Sequence, residues 1–182
     1  MGKIILITGG TRSGKSSFGE SLLKDKDEVL YIATAKVLDE EMLARVKKHR
    51  ESRNEKWETY EGYKNLKQAI TNSETHYVLF ECVGTMVTNF IFDKYQDFDN
   101  LKDEEIKILE LDIIRELYEL INEALRKNRQ LILITNEVGF SLVSEHKLGR
   151  IFTDILGRVN QELGKISDEV YLVACGIPLR LK

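Results

Sequence analysis

The chain has 182 residues, 42% of them hydrophobic and 31% charged, which is ordinary for a globular protein with a full core and predicts one domain spanning 1–182. The formal net charge is −3, so no overall positive field favours binding to nucleic acid. The apolar run in the opening MGKIILITGG is too short for a signal peptide or a membrane span, which predicts a cytoplasmic protein.

Strands and helices alternate along the chain. Short, nearly continuous apolar runs are typical of parallel strands that are buried on both faces. They predict five strands, KIILITG, EVLYIATA, HYVLFEC, QLILITNE and DEVYLVAC. Helical periodicity predicts helices over residues 16–24, 39 to about 53, 104–127 and 146–164. Residues 93–103 are the stretch of the chain that is most typical of a loop. This order predicts a three-layer α/β fold of the P-loop NTPase type with a mostly parallel central sheet.

The two cysteines each end one of these apolar runs, in LFEC and LVAC. Their spacing does not fit a metal site. We therefore predict that Cys82 and Cys175 are reduced core residues of an intracellular protein.

The first motif with a chemical meaning is GGTRSGKSS, which lies between the first predicted strand and the first predicted helix. It has the phosphate-loop spacing of a glycine, four residues, then glycine, lysine and serine. Glycines let backbone N–H groups surround phosphate oxygens, the lysine reaches the outer phosphates and the serine hydroxyl binds Mg²⁺. The predicted nucleotide-binding residues are Gly9, Gly10, Thr11, Arg12, Ser13, Gly14, Lys15 and Ser16, with Lys15 also catalytic and Ser16 also a metal ligand.

Ligands of open α/β sheets bind at the carboxyl ends of the strands, so the residues at those ends are candidates for the same site. Glu81 follows the apolar run YVLF, where phosphate-loop enzymes place the acid of the magnesium shell. Aspartate is commoner at that position, and a strand-end carboxylate that merely faces water is the alternative. Glu137 ends the fourth predicted strand and is either a second acid of the site or a helix-capping residue.

A histidine lies among basic residues in ARVKKHRESR. At 100° per residue, Met42, Val46, His49 and Arg53 share one narrow helix face. The two apolar residues should dock on the protein body, so the histidine should point along the body. Neighbouring arginines such as Arg50 would neutralise phosphoryl oxygens and keep the imidazole neutral and nucleophilic. The alternative is a histidine at the edge of an exposed basic helix.

Several segments together resemble one family, the bifunctional cobinamide kinase/cobinamide-phosphate guanylyltransferases of cobalamin biosynthesis. They occur in the family's order from residue 3 to the C-terminus: ITGGTRSGKS, LYIATA, ARVKKHRESRNEKWETYE, FECVGTMVTN, ITNEVG, GRVNQEL and DEVYLVACGIPLRLK. The phosphate loop alone is unspecific. The histidine segment followed by Trp57-x-Thr59-x-Glu61, then TNEVG and GRVNQ, makes the combination specific.

The resemblance implies two reactions and a set of substrates. ATP or GTP phosphorylates the aminopropanol hydroxyl of adenosylcobinamide, and GTP then guanylylates adenosylcobinamide phosphate to give adenosylcobinamide-GDP and pyrophosphate, with Mg²⁺ as cofactor. The second reaction implies a GMP–histidine intermediate at His49, with Arg50 and Arg53 holding the GMP. Around the nucleotide the family pattern places Ala33, Thr34, Ala35, Glu61 and Glu81.

Two other functions are compatible with the same motifs. One is a small-molecule kinase in which His49 is structural, and it predicts no covalent nucleotide adduct. The other is a non-enzymatic nucleotide-binding switch module, which predicts binding without transfer to an acceptor. A corrinoid is large for a chain of this length, so we expect a homo-oligomer in which subunit interfaces help to enclose it.

Overall fold

The computed structural model of the protein describes residues 2–36 and 54–182. Within these ranges, seven strands form one sheet: β1 (Lys3–Gly9), β2 (Val29–Ala33), β3 (Glu58–Glu61), β4 (Tyr77–Glu81), β5 (Gln130–Asn136), β6 (Glu169–Ala174) and β7 (Ile177–Arg180). The helices of the described ranges are α1 (Lys15–Ser21), α2 (Leu66–Asn72), α3 (Val83–Lys94), α4 (Asp103–Arg126) and α5 (Lys147–Ile166). The predicted helix over 39–53 lies outside the described residues.

The sheet has the order β3-β2-β4-β5-β1-β6-β7. All neighbouring strands are parallel except β6 and β7, which form an antiparallel hairpin. The predicted mostly parallel α/β fold is therefore confirmed. In this order the strand that leads into the phosphate loop, β1, lies between β5 and β6, near the centre of the sheet.

Two apolar cores form because alternate residues of the buried strands point to opposite faces. On one face, Ile5 and Ile7 of β1 pack with Ile134 of β5 and with Phe18 of α1. On the other face, Ile4 and Leu6 pack in the larger core that α2, α3, α4 and α5 cover. The described elements thus make three layers, as predicted. None of the described helices is long and apolar enough to cross a membrane.

The two cysteines have different surroundings. Cys82 is partly buried at the start of α3, where its sulfur accepts a hydrogen bond from the Thr85 N–H at 3.4 Å, and burial raises the pKa of its thiol. The prediction that Cys175 is a core residue is wrong, because it is exposed in the turn between β6 and β7. Cys175 and Gly176 both have positive φ, 53° and 79°, which a two-residue hairpin turn requires.

Candidate active site

The phosphate loop, residues 9–16, connects β1 to α1 as the sequence predicts. Arg12 and Gly14 have positive φ values of 59° and 95°, and the Ser13 N–H donates to the Gly10 carbonyl at 3.2 Å. The Lys15 ammonium donates to the same carbonyl at 3.1 Å. These contacts curl the loop back on itself and bring the lysine across it, the arrangement in which backbone N–H groups and an ammonium can surround phosphate oxygens.

The hairpin turn between β6 and β7 packs directly on the phosphate loop. The Gly176 N–H donates to the Ser13 carbonyl at 2.8 Å. A Cβ on Gly14 would lie 2.9 Å from the Gly176 Cα, and a Cβ on Gly9 would lie 2.5 Å from the Val173 carbonyl oxygen. The loop and the hairpin are therefore as close as their backbones allow, which fixes the shape of the loop from one side.

Glu81, at the carboxyl end of β4, meets Ser16 at the start of α1. One carboxylate oxygen of Glu81 accepts a short hydrogen bond from the Ser16 hydroxyl. The other accepts a hydrogen bond from the Tyr31 hydroxyl of β2 at 2.6 Å. The sequence predicts that Ser16 and Glu81 belong to one site, and in the structure their side-chain oxygens are in hydrogen-bond contact.

These two oxygens fit a magnesium ion with bound phosphates. Mg²⁺ prefers oxygen ligands and is usually held by one or two protein groups together with substrate phosphates and water. Within the described ranges no cluster of three or more histidine, cysteine, aspartate or glutamate side chains could hold a metal. Protein ligation at this site would thus come from Ser16 and Glu81, with the phosphates completing the shell.

Thr34, which follows β2, holds the backbone beneath Glu81. Its hydroxyl lies 3.0 Å from the Glu81 carbonyl oxygen and 2.9 Å from that of Cys82, and it accepts from the Cys82 N–H at 2.8 Å. The Asn89 amide of α3 donates to the Thr34 carbonyl at 2.7 Å. Thr34 is 1% exposed. Its side chain therefore supports the strand end that carries Glu81.

The other predicted strand-end residues lie along the same edge. In the strand register Ala33 pairs with Glu61 on β3 and with Glu81 on β4. Ala35 and Glu61 are exposed there. Trp57, which precedes β3, donates its indole N–H to the Lys26 carbonyl at 2.8 Å. The tryptophan of the family pattern thus ties β3 to the segment that follows α1.

Glu137 follows β5 next to the phosphate loop, and its N–H donates to the Gly9 carbonyl at 3.0 Å. Its carboxylate accepts hydrogen bonds from the N–H groups of Gly139 and Phe140 at 2.8 and 3.1 Å. These contacts cap a turn and not the helix that the prediction names, and the role of a second acid at the site stays a prediction.

Three predicted site residues, His49, Arg50 and Arg53, lie outside the described residues. The other two histidines lie at the starts of secondary-structure elements. His76 directly precedes β4, where its ring packs edge-on against Tyr77, and His146 is the residue before α5.

Sequence reasoning missed the residues that hold the predicted ones in place. Tyr31 orients Glu81, and its polar hydroxyl within the buried strand VLYIA was an available signal, because a buried tyrosine needs a hydrogen-bond partner. Asn160 of α5 accepts from the Thr135 hydroxyl at 2.7 Å and donates to the Asn136 carbonyl at 2.9 Å. It thereby fixes the end of β5 beside the phosphate loop, a contact that no local pattern indicates.

Comparison with known proteins identifies the family of the chain. Residues 5–181 match the model of the family described as cobinamide kinase / cobinamide phosphate guanyltransferase. The chain is 45% identical over 182 residues to the bifunctional adenosylcobalamin biosynthesis protein CobU of Escherichia coli, covering 98% of this chain and 99% of that protein. It is 42% identical over 181 residues to the protein of the same name from Salmonella typhimurium, with 98% and 99% covered.

Among solved structures, a KaiC-like protein from Pyrococcus horikoshii aligns with 93% of this chain and 70% of its own at a TM-score of 0.47 and 16% identity. That similarity is too weak to bear on function. The family match and the two relatives each span nearly the whole chain, including the phosphate loop and Glu81. The chain therefore belongs to the cobinamide kinase / cobinamide phosphate guanyltransferase family.

Proposed function

We propose that this protein phosphorylates adenosylcobinamide with ATP or GTP, and then transfers GMP from GTP to adenosylcobinamide phosphate, giving adenosylcobinamide-GDP and pyrophosphate. The observation that carries the proposal is the convergence of Lys15, Ser16 and Glu81 at one edge of the sheet, with Ser16 and Glu81 in hydrogen-bond contact. Both reactions act on a nucleoside triphosphate, so both need this cradle, and one domain carries both activities.

In the kinase reaction the cradle supplies positioning and charge. Lys15 and the backbone N–H groups of the loop hold the outer phosphates, and Ser16 and Glu81 hold Mg²⁺, which neutralises charge on those phosphates when it is bound. The acceptor hydroxyl oxygen attacks the γ-phosphorus, the bond from that phosphorus to the nucleoside diphosphate breaks, and the hydroxyl proton passes to solvent. A protein nucleophile is not needed for this transfer.

In the guanylyl transfer His49 is the nucleophile. A ring nitrogen of His49 forms a bond to the α-phosphorus of GTP, and the bond between that phosphorus and the bridging oxygen of pyrophosphate breaks. Pyrophosphate leaves on the phosphate loop, where Lys15 stabilises its charge. The phosphate of the corrinoid then attacks the same phosphorus and releases the histidine, while Arg50 and Arg53 hold the GMP.

The strand edge supports this assignment. The connection that carries His49 begins after Ala35, at the edge where Ala33, Glu61 and Glu81 lie side by side. This edge is also where the phosphate loop starts, because Gly9 is the last residue of β1. We therefore place the base and ribose of the nucleotide along residues 33–35 and Glu61, with its phosphates on the loop.

The size of the substrate extends the proposal to assembly and location. A corrinoid is large relative to a chain of 182 residues, so we propose that copies of the chain assemble and help to enclose it. Sedimentation of the purified protein tests this. We also propose a cytoplasmic location, where ATP and GTP are available.

The proposed covalent step is tested by incubating the protein with α-labelled GTP and Mg²⁺ in the absence of corrinoid. We expect protein-bound label that is labile in acid and stable in base, as a phosphoramidate requires. Both alternatives, a kinase with a structural histidine and a nucleotide-binding switch module, predict that no label stays on the denatured protein, and that result would refute the guanylyl-transfer assignment.

A further inference from the structure

A large cavity opens beside the phosphate loop, on the face of the sheet that α5 covers. Its volume is about 580 Å³, within the usual range for small-molecule sites. The walls are the ends of β1 and β6, one face of α5 and the loop that follows β5. Lys15, Ser16 and Glu81, which form the proposed magnesium and phosphate cradle, do not line this cavity.

The cavity and the phosphate loop share backbone. Thr8 lines the cavity and directly precedes Gly9, the first residue of the loop. Glu137, another lining residue, donates its N–H to the Gly9 carbonyl at 3.0 Å. The Thr8 hydroxyl is shielded from solvent and has no hydrogen-bond partner among the described residues. A molecule in this cavity would therefore lie next to the loop that is proposed to hold the outer phosphates.

The face of α5 that borders the cavity is unusually open. Gly157 and Gly164, seven residues apart, both line the cavity, and a Cβ built on either would meet no atom within 4 Å. Glycine is unfavourable inside a helix, and here packing among the described residues does not require it. The two glycines leave room above the helix, and the polar side chains of Arg150, Asp154 and Gln161 surround that room.

The loop after β5 presents apolar side chains to the same space. Phe140, Leu142 and Val143 line the cavity and are 84%, 94% and 84% exposed. A contiguous patch of exposed apolar side chains commonly marks a binding surface. The combination of apolar groups on one wall and hydrogen-bonding groups on the other suits a ligand with an apolar ring system and a polar rim.

We infer that this cavity is the acceptor site, and that it binds the side of the corrinoid that bears the aminopropanol arm. The inference rests on the proposed function. A corrinoid is a flat macrocycle with amide side chains around its rim, so the apolar loop can contact the ring while Arg150, Asp154 and Gln161 bind amides. Thr8 and Glu137 then border the arm, whose hydroxyl reaches the phosphates held by the adjacent loop.

The test uses Gly157→Leu, which adds a side chain to the cavity at a position where a Cβ would meet no described atom within 4 Å. Lys165→Leu is its matched control, because it adds the same side chain to the same helix at an exposed position outside the cavity. Binding of adenosylcobinamide is measured by equilibrium dialysis without nucleotide, read by the visible absorbance of the corrinoid. The kinase KM and kcat and the covalent GMP label formed without acceptor are measured on the same samples.

We expect Gly157→Leu to weaken adenosylcobinamide binding and raise its KM by at least about tenfold, as steric exclusion from a pocket does. Lys165→Leu should match the wild type, and both variants should form the GMP label normally. Gly164→Leu, at the other end of the same open face, should repeat the effect, so the test does not depend on one variant folding.

Three results would overturn the inference and leave the proposed function standing. If Gly157→Leu and Gly164→Leu bind adenosylcobinamide like the wild type while the wild type turns it over, the acceptor binds elsewhere and the proposed function stands. If the GMP label is lost while corrinoid affinity is kept, the cavity belongs to the nucleotide. If only the sedimentation coefficient changes, the surface is an interface between copies. A wild type that does not phosphorylate adenosylcobinamide would refute the proposed function and, with it, this inference.

Discussion

The contact between Ser16 and Glu81 is the smallest unit of the proposed chemistry. Glutamate stands where related phosphate-loop enzymes usually have aspartate, and its longer side chain reaches Ser16 directly. Tyr31 binds the second carboxylate oxygen and so restricts how the side chain can turn. In the proposed function these two oxygens bind Mg²⁺, and holding them in place lowers the conformational cost of binding it.

Lys15→Ala should abolish both activities, because both reactions depend on the same phosphates being held. The loss of this charge-assisted contact should cost on the order of 3 kcal/mol or more in the transition state, about a hundredfold in rate. The measurement is the initial rate of each reaction at saturating nucleotide. Guanylyl transfer at a near-normal rate would show that the loop does not serve that step.

Glu81→Gln should raise the Mg²⁺ concentration needed for half-maximal activity by on the order of tenfold, because an amide oxygen is a weaker ligand than a carboxylate. The glutamine oxygen can accept from one of the Ser16 and Tyr31 hydroxyls and its NH2 group can donate to the other, so the thermal unfolding temperature should hardly change. A magnesium titration that superimposes on that of the wild type would remove Glu81 from the metal site.

At this scale the sequence predicted that Ser16 and Glu81 lie at one site, but it did not predict the residues that support them. Ser16 and Glu81 could be identified because their roles follow from a local motif and a strand end. The sequence predicts that Thr34 binds the nucleotide, and it gives no sign that the Thr34 hydroxyl forms hydrogen bonds with the backbone of residues 81 and 82. Such contacts join residues that are distant in the sequence, and spacing along one chain segment carries no information about them.

Among the secondary-structure elements, the β6–β7 hairpin has a role that its short, exposed second strand does not suggest. Its turn donates a hydrogen bond to Ser13 and touches Gly14 closely enough to exclude a side chain. The phosphate loop is thus shaped by its own glycines and by an element at the far end of the chain.

Gly14→Ala should therefore destabilise the protein by about 1–3 kcal/mol, because alanine at φ +95° is strained and its Cβ would lie 2.9 Å from the Gly176 backbone. Gly10→Ala is the matched control for stability, since a Cβ there meets no atom within 4 Å. Urea unfolding of both variants measures the difference. Equal stability of Gly14→Ala and the wild type would show that the hairpin does not confine the loop.

The five predicted strands and three of the four predicted helices match elements of the structure, because long apolar runs and helical periodicity are strong signals. The short strands β3 and β7 were missed. β3 reads ETYE and is mostly exposed, and β7 contains Pro178 and is exposed throughout, so neither has the apolar pattern of a buried strand. α2 and α3 were also missed.

For the whole molecule, stability in acid should depend on Glu123 of α4. Arg126 binds this carboxylate through two nitrogens at 2.9 and 2.6 Å, and Thr71 donates to it from the end of α2. These contacts lower the pKa of Glu123 from 4.5 to about 2. In the unfolded chain the carboxylate takes up a proton near pH 4.5, so its contribution to stability is present above that pH and is lost as the pH falls towards 2.

Glu123→Gln should lower the free energy of unfolding at pH 7 by about 1–2 kcal/mol, because a charge-assisted contact becomes a neutral one. It should also make the decline in stability between pH 4.5 and 2 shallower than in the wild type. Urea unfolding across this pH range measures both effects. Parallel pH profiles for the two proteins would contradict the role given to Glu123.

We propose that the protein catalyses two reactions with one set of phosphate-binding groups, the phosphate loop with Lys15, Ser16 and Glu81. Kinase transfer moves the γ-phosphoryl group directly to an alcohol, whereas guanylyl transfer breaks the bond at the α-phosphorus and uses a protein nucleophile. The two activities should therefore be separable by removing one side chain, and the sequence assigns that side chain to His49.

The most direct measurement is the covalent label from α-labelled GTP in His49→Ala, with kinase activity measured on the same sample. We predict no label and no guanylyl transfer, together with substantial kinase activity, while His76→Ala and His146→Ala keep the label. Label that persists on His49→Ala, or label lost equally from His146→Ala, would contradict the account.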